Sequence, residues 1–482
     1  MELGDPSNLM ILTRPYYIGG RECGYCNGKK EDFRAIEGQK QDKSEHSQSF
    51  TIGCSVEQMN SRQYDELVNQ GFRRSGTFLY KVDMLRGCCR YYTIRTDMSH
   101  MKITKPIRKT VNRFIRAILG EEAENREKSK AFSLESLLEA EQKSKRFRTR
   151  FESSGFSREK FELFKRYQVA VHNDKPEEVT PSSFRRFLCQ TPFPEQEVRG
   201  TNEQWHQLNN WVSYKRTGQI QYSRRVGPTH ECYYLDDVLI GVSVLDFLPS
   251  GISSIYFIWH PDYAHLSLGT LSGIREILMC KELQLGFYYL GYYIEDCDKM
   301  RYKLRFGAEL LDVCNEVYFP LPLIQDFIRN GRFYTVGEEN NYSCLEEPYL
   351  SNEGHPRDFE NSRFHNKNIV NIANELYSNP EVYKRALEAA SILRHSYGVG
   401  KQIESIHAIP EVVPGLIPLT QIVEWFNRGI LHAGISVTIF DASVPDIKRT
   451  YFGNLSSSGK SIVIDFIRLF GLKKSNEAII IV

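Results

Sequence analysis

The chain of 482 residues carries 62 Lys and Arg against 60 Asp and Glu, a net charge of +2, with 41% hydrophobic and 25% charged residues. That is the composition of an ordinary soluble protein, and the length suggests two to four domains. No apolar run approaches a membrane span and the N-terminus lacks a signal peptide's apolar core, so membrane-embedded and secreted classes are set aside; the cytosol, with the nucleus as a second compartment, is the expected location.

The first informative element is Cys23-Gly24-Tyr25-Cys26, a Cys-x-x-Cys knuckle that can turn two thiolates toward one metal ion. The adjacent pair Cys88-Cys89 would complete four sulfur ligands, the closed set of zinc or of an iron–sulfur cluster. Adjacent cysteines strain simultaneous ligation, so one of Cys88 and Cys89 is expected to serve only in some redox states. The competing reading is four unrelated cysteines. The other seven, scattered and odd in number, read as small apolar core residues of a reduced protein. Lys29 to Ser55 is polar and poorly periodic and reads as a loop.

From Arg73 to Arg116 twelve Lys and Arg face only Asp83 and Asp97, a local charge of +10. Interleaved with Tyr80, Tyr91 and Tyr92, the block is a candidate phosphate-binding surface, or else a solvated basic face. Within it Ile107, Val111, Phe114, Ile115 and Ile118 have helical spacing. Lys102, Lys105, Arg108, Lys109 and Arg113 are the candidate phosphate contacts. Glu121 to Arg150 is charged and reads as a surface helix or mobile linker.

The character then changes. Phe161 to His172 reads as a helix, followed by a turn and a shorter helix from Ser182 to Cys189. Tyr233-Tyr234-Leu235 and Val238 to Leu245 form a β-hairpin around Asp236-Asp237. Ser254 to Trp259 is the next strand, Leu271 to Leu283 a helix and Phe287 to Ile294 a strand. Hairpin, strand, helix and strand in this order describe the core of a GCN5-type acyltransferase. Past Val336 the chain reads as a separate, mainly helical region, with helices at Asn368 to Tyr377 and Pro380 to His395. Its tail, Ala478 to Val482, reads as a final strand or a docked end. The fold class is therefore α/β (α+β), in four parts: a cysteine-rich basic domain (1–119), a charged linker or helix (120–158), a GCN5-like transferase domain (159–336) and a C-terminal extension (337–482).

Several blocks, in order, resemble the eukaryotic arginyl-tRNA–protein transferases. They are Cys23-Gly-Tyr-Cys26; Gly71-Phe-Arg-Arg-Ser-Gly76; Cys88-Cys89 with Tyr92-Thr-Ile-Arg95; Leu163-Phe-Lys-Arg-Tyr-Gln-Val-Ala-Val-His172; Phe187-Leu-Cys189; Pro261-Asp-Tyr263 with Leu266-Ser-Leu-Gly269; and Gly291-Tyr-Tyr-Ile294 with Lys299-Met-Arg-Tyr-Lys303. They span roughly residues 20 to 320. The family often has Pro where this chain has Arg90 and Trp where it has Phe72; neither change removes a ligand or a charge. Nothing after Val336 takes part in the resemblance.

The resemblance implies transfer of arginine from arginyl-tRNA to the α-amine of proteins with N-terminal Asp or Glu, or oxidised Cys. Such transfer creates an N-degron and makes ubiquitin-ligase pathway components implied partners. The chemistry is modest: the ester is activated, an α-amine with a pKa near ~8 is partly free base at neutral pH, and proximity supplies much of the acceleration. No Gly-x-Ser-x-Gly elbow is visible. Two rivals are a GCN5-type N-acetyltransferase and a non-catalytic, metal-organised RNA-binding protein. Against the first, Leu266 to Gly273 keeps one glycine of a pyrophosphate loop but lacks its Gln/Arg and second small residue, so no CoA is expected.

For the site, Asp262, Tyr263 and Glu295 are the expected catalytic residues, at the ends of the two strands that splay apart in such a core; an ordinary capping turn is the alternative for the first two. Asp296 with Glu295 is expected to anchor the arginine guanidinium, solvated loop carboxylates being the alternative, with Tyr256, Tyr292 and Tyr293 as aromatic walls. Arg73, Arg74 and Arg95 are assigned to the acidic side chain of the acceptor, an internal ion pair being the alternative. Cys23, Cys26, Cys88 and Cys89 are the expected ligands of the iron–sulfur cluster or zinc.

Overall fold

Asp236 and Asp237 both adopt positive φ, 49° and 62°, the backbone of a two-residue hairpin turn whose twist matches its strands. They join β8 (Gly227–Leu235) to β9 (Val238–Phe247). In the computed structural model, which describes residues 6–26, 48–101, 105–120, 133–214, 224–328, 333, 381–400, 407–441 and 446–482, this hairpin lies in one of two eight-stranded sheets.

The first sheet runs β15-β14-β16-β1-β3-β5-β4, with β2 also on β3. Its members are β1 (Met10–Thr13), β2 (Tyr16–Glu22), β3 (Gln48–Gln58), β4 (Arg73–Ser75), β5 (Phe78–Val82), β14 (Ser436–Asp441), β15 (Asp446–Tyr451) and β16 (Ala478–Ile481). The second runs β13-β12-β6-β11-β10-β9-β8-β7. It adds β6 (Tyr92–Asp97), β7 (Phe147–Ser153), β10 (Gly251–Trp259), β11 (Phe287–Tyr293), β12 (Ala308–Asp312) and β13 (Val317–Pro320) to the hairpin.

Four expectations change. Gln48 to Ser55 is strand β3 rather than loop; the rest of the expected loop lies outside the described residues. Phe147 to Arg150 is edge strand β7 rather than linker. Strand β6 belongs to the second sheet, not to an independent N-terminal domain. The C-terminal region is not separate: β16 pairs in parallel with β1, Met10 opposite Ala478, and one apolar core contains Met10, Leu12, Ile52, Phe466, Phe470 and Ile480 together. The reason is apolar pairing: β1 and β16 each bury their side chains only when laid side by side. The Asn368 to Tyr377 helix falls outside the described residues.

The second sheet is covered on both faces. Alternate residues of the hairpin separate cleanly: Tyr233, Leu235, Leu245 and Phe247 join a core with helix Lys105–Leu119 and helix Leu268–Glu282. Cys232, Tyr234, Val242 and Val244 join another with helix Arg158–Tyr167 and Phe184. Helix Leu268–Glu282 is buried almost all round, and its Arg275 forms ion pairs with Glu231 of β8 and with Glu141.

The two sheets are joined by Arg74 of β4. Its Nε and Nη2 donate to the two carboxylate oxygens of Asp246 on β9 at 2.6 and 2.5 Å, and Nη1 donates to the Gly76 carbonyl at 3.1 Å. Both side chains are buried. Removing one member of such a pair strands the other charge in a dry site. Arg74→Met is therefore expected to destabilise the fold by about 3–5 kcal/mol, measured as a lowered denaturant midpoint, with part of the loss recovered in Arg74→Met/Asp246→Leu.

A four-cysteine site beside a splayed strand pair

Cys23 and Cys26 lie in the turn that follows β2, and Cys88 and Cys89 immediately precede β6. The strands bring the two pairs together crosswise. Cys23 Sγ is 3.7 Å from Cys89 Sγ, and Cys26 Sγ is 3.4 Å from Cys88 Sγ. All four sulfurs lie within 4.8 Å of one another, so both adjacent cysteines face one centre. The edge of a tetrahedron of sulfurs around an ion with 2.3 Å bonds is about 3.8 Å, so the donor set fits a single metal ion. Hydrogen bonds from Cys88 and Cys89 hold Cys23 far below the ordinary thiol range, and the shared proton drives Cys88 the opposite way. Tyr91 Oη stands 3.5 Å from Cys23 Sγ. Arg90 closes the loop behind the pair, its Nη1 donating to the Gly87 carbonyl at 2.6 Å.

The +10 block does not form one surface. Arg73, Arg74, Lys81, Arg90 and Arg95 are buried. Arg74 is saturated by Asp246 and Gly76, so it is a structural ion pair rather than an acceptor contact. Arg95 is likewise committed: its Nε donates to Glu309 at 3.2 Å, Nη1 to Asn69 at 3.0 Å, and the guanidinium lies between the rings of Phe287 and Tyr318. Burial of long cationic side chains on this sheet supplies the reason for both corrections: each guanidinium fills a core position that a carboxylate or ring completes. Arg73 reaches elsewhere, its Nη2 donating to the Gly291 carbonyl at 3.2 Å. Lys105, Arg108, Lys109 and Arg113 line the solvent face of helix Lys105–Leu119, whose opposite face is buried through Ile107, Val111, Phe114, Ile115 and Ile118. Lys102 lies outside the described residues. Arg113 Nη2 donates to Ser267 Oγ at 2.6 Å, which seats this basic face at the start of helix Leu268–Glu282.

That helix begins beside an opening in the sheet. β10 and β11 pair in parallel only from Gly251–Ser253 against Phe287–Tyr289. Beyond this point each follows its other neighbour. β10 shifts register at Ser254/Tyr256 and stays on β9 to Trp259, and β11 shifts at Tyr289/Tyr292 and stays on β6 to Tyr293. Gly291 takes φ +70° in the second shift, a conformation that favours glycine.

Asp262 and Tyr263 lie just past the end of β10 in the turn Pro261–Leu266. Asp262 is exposed, and Tyr263 stacks on His265 and meets His260 edge-on. Glu295 and Asp296 lie just past β11; Glu295 accepts from Tyr293 Oη at 2.5 Å and from Gln325 at 3.1 Å, and Asp296 is exposed. The expected carboxylates thus stand at the ends of the two diverging strands. Of the expected walls, Tyr256 hydrogen-bonds Gln168 at 3.1 Å, and Tyr293 is buried against Glu295. Tyr292 points toward the first sheet, donating to the Gly71 carbonyl and lying 5.8 Å from the Tyr91 ring.

Residues 21–109 match the description "Arginine-tRNA-protein transferase, N terminus" and residues 159–312 match "Arginine-tRNA-protein transferase, C terminus". The chain is 40% identical over 496 aligned residues, 95% of each chain, to "Arginyl-tRNA--protein transferase 1" of Saccharomyces cerevisiae. The chain belongs to the arginine-tRNA-protein transferase family. It is also 43% identical over 165 residues, 33% of this chain and 25% of the other, to "Arginyl-tRNA--protein transferase 2" of Arabidopsis thaliana. A shorter match, 41% over 143 residues, covers 28% of the chain and 60% of an "Aspartate/glutamate leucyltransferase" of Campylobacter jejuni. The matched N-terminal part of this transferase holds the four cysteines and β6; the matched C-terminal part runs through both splayed strands to the end of β12.

One buried cation beside the splay was not singled out in the sequence reading. Lys303 is buried and its Nζ donates to the carbonyls of Leu290, at 2.8 Å, and Tyr292, at 2.5 Å. With Arg73 on Gly291, three consecutive carbonyls of the irregular β11 segment are held by buried cations. The only sequence signal was its place in the Lys299 to Lys303 block. Burial, then the nearby Arg73, pushes the Lys303 ammonium down to about 7.

Three outcomes follow from the geometry of Lys303 and of the cysteine site. Lys303→Met is expected to lower the transfer rate by about a hundredfold, the cost of a misplaced reacting group, while arginyl-tRNA affinity, measured separately, stays as in the parent. In the unfolded chain a lysine titrates near ~10.4, so between pH 7 and 10 the unfolded state holds the extra proton and stability rises with pH. Denaturation of the parent at pH 7 and 9.5 should show that rise, and Lys303→Met should lose its Lys303 component. Chelation, or Cys23→Ser, is expected to lower the melting temperature by several degrees, because the cysteine site ties the end of β2 to the start of β6; metal content and the melt report it together.

Proposed function

We propose that the chain transfers arginine from arginyl-tRNA to the α-amine of proteins whose N-terminal residue is Asp, Glu or oxidised Cys, marking them for ubiquitin-dependent degradation in the cytosol and nucleus. The observation that carries this reading is the splayed β10–β11 pair with the basic helix seated at its rim through Arg113 and Ser267, in a member of the arginine-tRNA-protein transferase family. The splay resembles that of a GCN5-type acyltransferase core, and the amine and the activated ester meet in it. The basic face of Lys105, Arg108, Lys109 and Arg113 takes tRNA phosphates, next to the amide-rich start of a long helix. The acidic acceptor is supported by the name of the Campylobacter relative, "Aspartate/glutamate leucyltransferase".

In this reading Asp262 at the end of β10 accepts the proton of the attacking amine, Tyr263 packs beside it, and Asp296 contacts the arginyl guanidinium. The amine nitrogen forms a bond to the arginyl carbonyl carbon, the ester bond to the tRNA ribose oxygen breaks, and that oxygen takes up the proton. The four cysteine sulfurs, held by Tyr91 and the Arg90-closed loop, suit one zinc ion as a structural centre; an iron–sulfur cluster would spread the same sulfurs around a larger inorganic core.

The test uses charged tRNA with labelled arginine and peptides beginning with Asp or Ala. Label on the Asp peptide alone supports the reading, and transfer to neither sinks it. Lys105→Ala/Arg108→Ala/Lys109→Ala should weaken tRNA binding and reduce the slope of log affinity against log salt by about three times the single-contact value of ~0.7–0.9. An unchanged slope would move the tRNA elsewhere.

A further inference from the structure

A cavity of about 750 Å³ lies between the first sheet and the two helical segments Arg158–His172 and Pro181–Cys189. It is on the face of the second sheet opposite the basic helix, since Phe164 and Phe184 pack on the Cys232 and Val242 side while Ile107 and Phe114 pack on the Tyr233 and Leu245 side. Its walls touch both splayed strands. Phe187 meets Tyr256 of β10 edge-on with ring centres 5.0 Å apart, and Tyr80 lies 6.3 Å from Tyr292 of β11. The cavity therefore stands at the mouth of the splay, with the basic helix on the other side of the sheet.

Both helical segments end in a π-turn, Gln168–His172 and Arg185–Cys189, and both turns line the cavity. Such turns, with their wider i→i+5 hydrogen bonds, concentrate at functional sites. The first presents Gln168, which accepts from Tyr256 Oη and donates to Asp174 at 3.0 Å. The second presents Arg186. Its backbone is pressed against the β4–β5 turn at Gly76, where a Cβ would come within 2.3 Å of the Arg186 carbonyl oxygen. Glu178, the second acidic wall residue, is paired with Lys175. Among the described lining residues Arg186 is the one cation, and among the described residues its guanidinium has no hydrogen-bond or ion-pair partner.

We propose that this cavity is the acceptor pocket. Arg186 takes the side-chain carboxylate of an N-terminal Asp or Glu, and Asp174, oriented by Gln168, holds the terminal ammonium on entry, before Asp262 accepts the proton of the attacking amine. An acidic N-terminal residue carries both an amine and a carboxylate, and the cavity wall offers one cation, Arg186, and a carboxylate on Asp174. The arginyl group of the donor carries two cations, which Arg186 would repel, and it arrives on tRNA from the opposite face. The assignment rests on the acidic-acceptor reading above and replaces Arg74 and Arg95 in that role.

The experiment measures arginine transfer to peptides that differ only in a first residue of Asp or Asn, with wild type, Arg186→Gln and Arg186→Lys. Wild type should prefer Asp. Arg186→Gln should raise the KM for the Asp peptide about tenfold or more, the scale of a lost charge-assisted hydrogen bond, and bring the Asp:Asn ratio toward one. Arg186→Lys should keep part of the preference, and arginyl-tRNA affinity should match wild type. A wild type that prefers Asp and an Arg186→Gln that prefers it equally would overturn the pocket and leave the acidic-acceptor reading standing. A wild type indifferent to Asp and Asn would overturn that reading and the pocket with it. Arg186 is exposed, and matched thermal melts of the variants exclude unfolding as the cause of a changed ratio.

Discussion

The backbone ladder between β6 and β11 is the constraint on which the rest of the molecule depends. β6 leaves the cysteine pair, enters the second sheet between β12 and β11, and pairs with β11 from Asp97 opposite Phe287 to Tyr92 opposite Tyr293. A few residues beyond its far end begins the basic helix. One short strand thus fixes the four clustered thiols, the diverging end of β11 and the basic face in a single frame. Because β11 follows β6 rather than β10, the parallel pair opens, and the carbonyls of Leu290, Gly291 and Tyr292 at the irregular point find partners in Lys303 and Arg73.

The two halves of the chain communicate through side chains that are costly to bury. Arg74 and Asp246 close one contact, Arg73 and the Gly291 carbonyl another, and Tyr91 and Tyr292 a third. A purely apolar interface would tolerate small shifts, whereas a bidentate guanidinium–carboxylate pair holds one geometry. For a reaction between two large bound partners, with little covalent chemistry left to the protein, fixed geometry is the main requirement.

Local features were legible in the sequence because they are written in adjacent residues. The Asp236-Asp237 hairpin, the amphipathic helix with Ile107, Val111 and Phe114, and the Cys-x-x-Cys knuckle each need only a short window. The insertion of β6 into the second sheet and the union of β1 with β16 are pairings between distant segments, and alternating apolar residues do not name their partners. The arginines show the same boundary. Arg74 and Arg113 are both basic residues in one +10 block, yet Arg74 is sealed against Asp246 and Arg113 faces solvent. The difference lies in a carboxylate far along the chain, which no local pattern records. Arg186 drew no attention because a lone arginine after a short helix has no motif; its meaning came from the cavity it lines.

The parallel union of β1 with β16 also sets an order of events at synthesis. Met10 through Thr13 leave the ribosome early, and the strand that completes their pairing, Ala478–Ile481, emerges several hundred residues later. Through that interval the apolar edge of β1 is an open template, the kind of strand edge that chaperones shield and that recruits other chains when they do not. The first sheet can close only after residue 481 has cleared the exit tunnel, so a ribosome stalled between β13 and β16 would hold a nascent chain whose second sheet is fully synthesised while its first sheet is unfinished.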